Sequence, residues 1–471
     1  MKVLCLNLPY KQSIVRRYTC SYYAPNFLLP PLELTYIAAC IRQQKDCQVF
    51  LWDAIALGLS IDYIQKSIGR EDVDVIVSLL GLETFDDDVA MIQSIKNRHP
   101  GLKIICCGFW PTQYPREILE HVPEMDYLVL GEPERASAQL CAALQSKTDT
   151  SALPQTAQRI GRQVVVGATD RMMSIDRLPF PARDLIPTKP YFEFFSPRPF
   201  VTMLTSRGCA SGCHFCIPTY GRRVCSRTQT NIFQEIDEVV EQGGVKMIRF
   251  MDDDFCYDRN RVASFCLEMR EKPYRVAWSC LTRPDRLDEK MIKGMKAAGC
   301  SRVYLGIETF SPKLQERYNK VFDQERCIKN IYTLKEQGIE VSCFFLLSAW
   351  QTQDEFEKDV HLACALPIDY IVVSQLKVYP GTAMFERFSD DVCFCLFPYQ
   401  HQLKDQRKEE QLLRWEKEFY RRFYARIGLI GRMGKRVCFY PKDLWQGTIN
   451  FLRYMIQARD QSSRREMFTI K

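Results

Sequence analysis

An alternation that runs twice along the chain constrains its fold more than any other feature. Short apolar runs of roughly four to eight residues alternate with segments whose apolar positions recur at helical spacing, the pattern of strands covered on both faces of a parallel sheet. In the first series the strands are residues 2–8, Val49–Trp52, Val73–Leu80, Lys103–Cys107 and Tyr127–Leu130. The helices between them are Glu33–Gln43, Ile61–Ile68, Asp87–Arg98 and Arg116–Glu120. This order predicts an α/β, Rossmann-like doubly wound sheet, whose ligands sit at the carboxyl ends of the strands. Those ends carry Pro9, Asp53, Ser78, Gly108 and Gly131-Glu132. A second series of six units begins at Phe200. Its strands are Val201–Thr205, Lys246–Met251, Arg275–Cys280, Arg302–Ile307, Glu340–Leu347 and Tyr370–Leu376. Between the two lies a linker with a hairpin at Gln158–Val166 and a proline-stiffened Leu178-Pro179-Phe180-Pro181.

The first strand of the second series runs into Thr205–Arg227, TSRGCASGCHFCIPTYGRRVCSR. There Cys209, Cys213 and Cys216 stand four and three residues apart. Soft thiolates suit iron–sulfur clusters. Three thiolates from one short loop occupy three irons of a 4Fe–4S cube and leave the fourth for a non-protein ligand. Gly208 and Gly212 let the backbone wrap a bulky group, and His214 and Phe215 between the last two cysteines shield it from water. The alternatives for the triplet are three buried free cysteines or a zinc knuckle short of a ligand. Cys225 reads as an ordinary cysteine. Cys393 and Cys395 have no second pair at ligand spacing and are not expected to build another cluster.

The Cys-x3-Cys-x2-Cys loop resembles the signature of the radical S-adenosylmethionine (SAM) enzymes. LNLPY, LLPPLELTYIAA, CGFWPT and DYLVLGEPE, all before residue 146, resemble the cobalamin-binding domain that precedes the radical domain in one large subgroup. Leu178–Leu185 and the Tyr379-Pro380-Gly381-Thr382 turn resemble the same subgroup. The resemblance implies a cobalamin-binding Rossmann-like domain over 1–145, a linker over 146–199, a partial (β/α)6 barrel over 200–390 and a mostly helical region over 391–471. It implies a 4Fe–4S cluster, SAM and cobalamin as cofactors, with Cys209, Cys213 and Cys216 on the cluster.

Roles for further residues follow from the resemblance. Asp252, Asp253 and Asp254 look like the element that holds the SAM ammonium, and three adjacent acids are costly unless a cation neutralises them. The sequence does not choose among them, and Asp254 or Asp258 also suits a helix N-cap. Arg283 is placed to pair with the SAM carboxylate, or with Asp285 or Asp288. Glu308 is placed to bond the ribose, or to form a structural salt bridge. Cobalamin falls to Pro9, Ser78, Gly108 and Glu132. Two departures stand out. Some cobalamin proteins supply a cobalt-ligating histidine, and in Asp53–Gly58 Ile55 stands at that place. Leu347-Ser348-Ala349-Trp350 replaces a glycine–proline turn and puts Trp350 either at a substrate pocket or on the surface.

Composition narrows the class. A net charge of +7 over 471 residues is too mild to argue for nucleic acid. The 21 cysteines lack the regular framework of a small secreted domain, and no signal segment opens the chain, so the expectation is a cytoplasmic protein in a reducing compartment. No run of 18 apolar residues exists, so no transmembrane segment is expected. Arg421, Arg422, Arg426, Arg432, Lys435 and Arg436 lie among Phe423, Tyr424, Ile427, Leu429 and Ile430. That tail is read as a helical cap on the barrel, with peripheral membrane contact as the alternative. The implied activity is hydrogen abstraction by a 5′-deoxyadenosyl radical and methyl transfer from methylcobalamin to an unactivated carbon of a small-molecule or lipid substrate. An electron donor such as flavodoxin or ferredoxin is the implied partner. Radical cyclisation or ring rearrangement without methyl transfer, and a non-catalytic iron–sulfur sensor, are the alternatives.

Overall fold

The computed structural model describes residues 1–426 except 12, 13, 19, 24–26, 170–173, 218 and 219. The N-terminal part runs β1 (Lys2–Asn7), β2 (Ile14–Arg17), β3 (Cys20–Tyr23), β4 (Phe27–Leu28), α1 (Leu32–Arg42), β5 (Gln48–Asp53), α2 (Ala54–Leu57), α3 (Ile61–Glu71), β6 (Val75–Leu79), α4 (Phe85–Arg98), β7 (Lys103–Cys107), α5 (Phe109–Gln113), α6 (Pro115–His121), β8 (Tyr127–Val129), α7 (Pro133–Ser146), β9 (Thr156–Ile160) and β10 (Gln163–Val166). One seven-stranded sheet has the order β10-β9-β8-β7-β6-β1-β5 and is parallel from β5 to β8. The expected hairpin is β9–β10, and it pairs antiparallel with β8, so it extends this sheet.

The strand order reverses between β1 and β6, and the ligand crevice of such a sheet lies at the carboxyl ends there. Asp53 ends β5, the edge strand, to one side of that crevice. It accepts hydrogen bonds from Asn7 Nδ2 (2.8 Å) and Tyr191 O–H (2.9 Å), and it caps α2 through Ala56 N–H (3.2 Å). Asp53–Gly58 is therefore a structural corner, with Ile55 inside α2.

The rest of the chain runs β11 (Phe192–Glu193), β12 (Phe200–Met203), β13 (Ser206–Arg207), β14 (Cys225–Ser226), α8 (Gln229–Asp237), β15 (Met247–Phe250), α9 (Arg259–Glu271), β16 (Ala277–Thr282), α10 (Glu289–Ala297), β17 (Cys300–Glu308), α11 (Pro312–Arg317), α12 (Gln324–Glu336), β18 (Glu340–Leu347), α13 (Gln353–Ala365), β19 (Tyr370–Gln375), α14 (Ala383–Phe388), β20 (Val392–Leu396), β21 (Tyr399–Leu403) and α15 (Gln406–Tyr424). The second sheet is all parallel, in the sequential order β12-β15-β16-β17-β18-β19. Alternate residues such as Ile248, Trp278, Val303, Leu305, Val341 and Ile371 pack outward into one core with the covering helices. Side chains alternate across a strand, so Arg302, Tyr304 and Gly306 of β17 face the other way, into the lumen.

The linker closes the lower half of that lumen. β11 pairs with β4 and carries Glu193 inside. This fully buried carboxylate accepts from Arg249 Nη1 (3.2 Å), Ser279 Oγ (3.3 Å) and Tyr304 O–H, with Arg302 Nη1 at 3.4 Å. Burial alone would raise its pKa, but the two guanidinium groups outweigh burial and hold the carboxyl below its usual range.

At the other end of the chain, α15 buries Leu412, Trp415, Phe419 and Phe423, and Trp415 stacks on Phe356 at 4.7 Å. Arg422 pairs with Glu357 (2.8 Å), and Arg426 donates to the Cys364 and Ile368 carbonyls (2.8 and 3.1 Å). The described part of the tail is a cap on the barrel. Ile427, Leu429, Ile430, Arg432, Lys435 and Arg436 lie outside the described residues. Among the described residues no helix is long and apolar enough to cross a membrane.

Candidate active site at the mouth of the barrel

The carboxyl ends of the two sheets face each other. Arg17, from the hairpin after β1, donates to the Met251 carbonyl at the end of β15 (3.3 Å). Lys377, past β19, pairs with Glu83, past β6. The Tyr379 and Trp110 rings meet at 6.3 Å. Between them, the segments that follow β8 and β12 are joined by a fully buried arginine. Arg207 binds Glu132 (2.9 Å) and Glu134 (2.5 Å) and lies against the rings of Tyr220 and Tyr36 at 4.4 and 5.5 Å.

Two residues after Arg207 comes the three-cysteine loop, bracketed by the short antiparallel pair β13–β14. Cys209 N–H donates to the Gly221 carbonyl (3.1 Å), and Cys216 N–H to the Cys213 carbonyl (3.3 Å). His214 N–H reaches the Tyr318 carbonyl (2.9 Å), and His214 Nδ1 lies 3.0 Å from the Arg317 carbonyl, so this histidine is occupied by backbone. Asn319 Nδ2 donates to the Gly212 carbonyl (2.8 Å). A Cβ on Gly212 would stand 2.9 Å from that nitrogen and would push the Asn319 side chain off this carbonyl.

Cys213 is buried, and Cys209 and Cys216 are half-buried. Burial, then the negative charge of Asp253, pushes the Cys216 thiol up to about 12, and burial raises Cys213 as well. These thiols stay protonated at neutral pH unless a metal takes the proton's place. Among the described residues no group of three or more Cys, His, Asp or Glu side chains converges on a single ion. A cubane makes a different demand, since each thiolate binds its own iron and the sulfurs surround a body rather than a point. A loop that offers three sulfurs, with its one imidazole tied to backbone, fits that demand.

The three aspartates after β15 have separate fates. Asp252 is consumed by Thr205 N–H (2.7 Å), Thr205 O–H and Ser206 O–H (2.7 Å), with Arg261 at 3.9 Å. Asp254 accepts from Thr282 O–H (2.7 Å) and Arg286 Nε (3.2 Å). Asp253 accepts one bond, from Gly208 N–H (3.2 Å), beside the three-cysteine loop. Burial raises its pKa; Arg17 opposes that, and Asp252 adds to it. The N-cap of α9 is Asp258.

Arg283 pairs with Asp285 through two nitrogens (2.9 and 3.2 Å), and its Nη1 stands 3.7 Å from Cys213 Sγ. Glu308 ends β17 at φ +67°, a left-handed conformation rare for glutamate, beside a register irregularity. Its Oε1 accepts from Lys320 Nζ at 2.6 Å, and both groups are buried. A Cβ on Gly306 would meet Lys320 Nζ at 2.6 Å and Glu308 Oε1 at 2.9 Å. Trp350 packs on Phe388 at 4.3 Å and over Arg317 at 5.5 Å, and donates to Asp391 (3.2 Å).

On the facing sheet, Pro9 and Gly108 follow β1 and β7 beside the crevice, whereas Ser78 donates to the Leu6 carbonyl (3.0 Å) within the sheet and Glu132 is engaged by Arg207. None of the chain's five histidines ends one of these strands. Sequence reading missed Lys320, Arg17 and Arg207, whose partners lie on other elements; only the arginine two places before Cys209 carried a local hint.

Comparison with known proteins agrees with this layout. Residues 203–363 match the radical SAM superfamily model, and residues 24–141 match the B12 binding domain model. The chain is 27% identical to an uncharacterized methyltransferase of Pyrococcus horikoshii over 82% of this chain and 83% of that one. It is 22% identical to the anaerobic magnesium-protoporphyrin IX monomethyl ester cyclase of Rubrivivax gelatinosus, over 77% of this chain and 67% of the relative. The solved structure of the radical SAM methyltransferase TsrM from Kitasatospora setae shares its fold, with a TM-score of 0.67 at 17% identity over 83% of this chain and 76% of TsrM.

Proposed function

We propose that this chain, a cobalamin-dependent radical SAM enzyme in which a B12-binding domain precedes a radical SAM domain, is a methyltransferase acting on an unactivated carbon of a small molecule. One observation carries the reading: Cys209, Cys213 and Cys216 share a loop at a barrel mouth that faces the ligand crevice of the first sheet. When bound, the 4Fe–4S cluster, SAM and cobalamin supply hydrogen abstraction at carbon and a methyl donor.

The chain's own residues position these partners and exclude water. The three cysteines hold the cluster. Asp253, the aspartate with acceptor capacity left, receives the SAM ammonium. Arg283, with Nη1 beside Cys213 Sγ, is the guanidinium that would pair with the SAM carboxylate. Glu308, fixed by Lys320, offers its second oxygen to ribose hydroxyls. Phe215 and Tyr318, edge to face at 5.6 Å, join Val378, Met384 and Trp350 in an apolar wall around the mouth. Pro9 and Gly108 border the crevice on the cobalamin side. An electron donor such as flavodoxin or ferredoxin supplies the electron.

Protein purified without oxygen is expected to hold about four irons and one cobalt per chain. With reductant and SAM it should release 5′-deoxyadenosine, and with a methyl-accepting substrate also S-adenosylhomocysteine. Turnover that gives 5′-deoxyadenosine without S-adenosylhomocysteine would favour the cyclase reading, which the magnesium-protoporphyrin cyclase relative supports. Loaded protein that gives neither product would be a sensor, and methyl transfer would be refuted.

A further inference from the structure

The roles assigned so far leave out Arg222. It is an exposed residue six positions after Cys216, yet its guanidinium is held against the loop. Its Nη1 donates to the Ser211 carbonyl, and its Nη2 to the Cys213 carbonyl at 3.2 Å and the Cys216 carbonyl at 3.4 Å. Fixing an exposed arginine costs side-chain entropy, and a solvated cation would have no reason to bear it. A rigid fork of donors is the group that can collect three carbonyls from one short stretch; a lysine ammonium is a point charge on a flexible stem.

Those contacts orient peptide planes. In a trans peptide the N–H points opposite to the C=O. With three carbonyls turned to Arg222, the N–H groups of Gly212, His214 and Ile217 turn away from it. His214 N–H is taken by Tyr318. Among the described residues, Gly212 N–H and Ile217 N–H have no partner. Amide hydrogens directed toward cluster sulfurs, together with nearby positive charge, favour the reduced, more negative form of a cluster.

We infer that Arg222 is a positioning residue that presets the backbone of the three-cysteine loop through these carbonyls and raises the reduction potential of the cluster the loop carries. The inference rests on the assignment of Cys209, Cys213 and Cys216 as cluster ligands.

Arg223, the next residue, is also exposed and serves as the control. Arg222→Gln, Arg222→Lys and Arg223→Gln are compared with the unaltered full chain after anaerobic reconstitution. Two quantities are measured: the rate at which a chelator strips iron, and the midpoint potential from an EPR-monitored redox titration. Arg222→Gln should lose iron roughly tenfold faster than Arg223→Gln, in line with outer-shell partners of other metal sites, and its potential should be more negative. Arg222→Lys should fall between. If the Gln variant is too labile to titrate, the Lys variant supplies the potential. An Arg222→Gln chain that matches Arg223→Gln in iron loss or in potential overturns the inference while the cluster assignment stands. An unaltered chain that takes up no cluster on these cysteines overturns both.

Discussion

The two halves of the barrel lumen are lined by the same strands and handle charge in opposite ways. In the lower half, Glu193 is met by Arg249, Arg302, Tyr304 and Ser279, and each donor sits at an ordinary place on its strand. At the mouth, Glu308 occupies a left-handed backbone position and Asp253 accepts a single hydrogen bond, while three thiols are raised or half-exposed on a glycine-containing loop. Strand β17 carries both arrangements, Arg302 and Tyr304 below and Gly306 and Glu308 above. The lower network is scaffold, because every charge is answered within the protein. We read the mouth as the site, because a left-handed glutamate and a carboxylate with acceptor capacity to spare stand there beside the three cysteines.

That contrast can be broken or sharpened, beginning with the largest effect. Replacing Cys209, Cys213 or Cys216 by Ala should remove most of the iron and all 5′-deoxyadenosine formation while leaving the circular dichroism unchanged; an iron-replete single variant would break the assignment of the mouth. Glu193→Ala leaves two buried guanidinium groups without a counter-charge and should cost about 3–5 kcal/mol in urea unfolding. A loss below about 1 kcal/mol would show that the lower network is not scaffold.

The third effect lies just behind the mouth. Asp359 on α13 accepts from Phe310 N–H (2.6 Å), Thr309 O–H (2.9 Å) and Gln351 Nε2 (2.8 Å), and so fixes the segment after Glu308. Burial raises its pKa from 3.8 to about 7. A carboxyl with a raised folded pKa binds more protons folded than unfolded, so its contribution is complete below pH 4 and is lost as pH rises through 7. Stability should therefore fall with rising pH between about 4 and 7, by at most about 1.4 kcal/mol per pH unit from this group. Asp359→Asn should flatten that slope in urea midpoints taken at pH 5 and 7.5. The smallest stability effect belongs to Asp253→Asn. Burial already opposes its charge, so the change should move stability by less than about 1 kcal/mol. SAM affinity, measured by calorimetry on the cluster-loaded protein, should fall nonetheless; unchanged affinity would assign the ammonium to another group.

Much of this was legible in the sequence because it is local. Parallel strands announce themselves as apolar runs, and the cysteine loop is a spacing within eight residues. The partners that decide each residue's role were not legible, since they come from distant segments. Asp252 looks like Asp253 until Thr205 and Ser206 are seen to consume it. Asp254 looks no different until Thr282 and Arg286 are seen to hold it, and Asp53 looks like a ligand-side residue until β5 proves to be the edge strand. Glu193 sits in a linker with no periodicity to mark it as the residue that fills the lumen.

Arg207 has a consequence for how this chain can be divided. A fragment cut at Phe200 would keep all six barrel strands and the three cysteines, but it would lose Glu132 and Glu134 and the ring of Tyr36. An arginine buried by its neighbour would then be left as a bare cation in an exposed seam, two residues from the first sulfur. The C-terminal half is thus no portable cassette: the footing of its most exacting loop belongs to the half that precedes it.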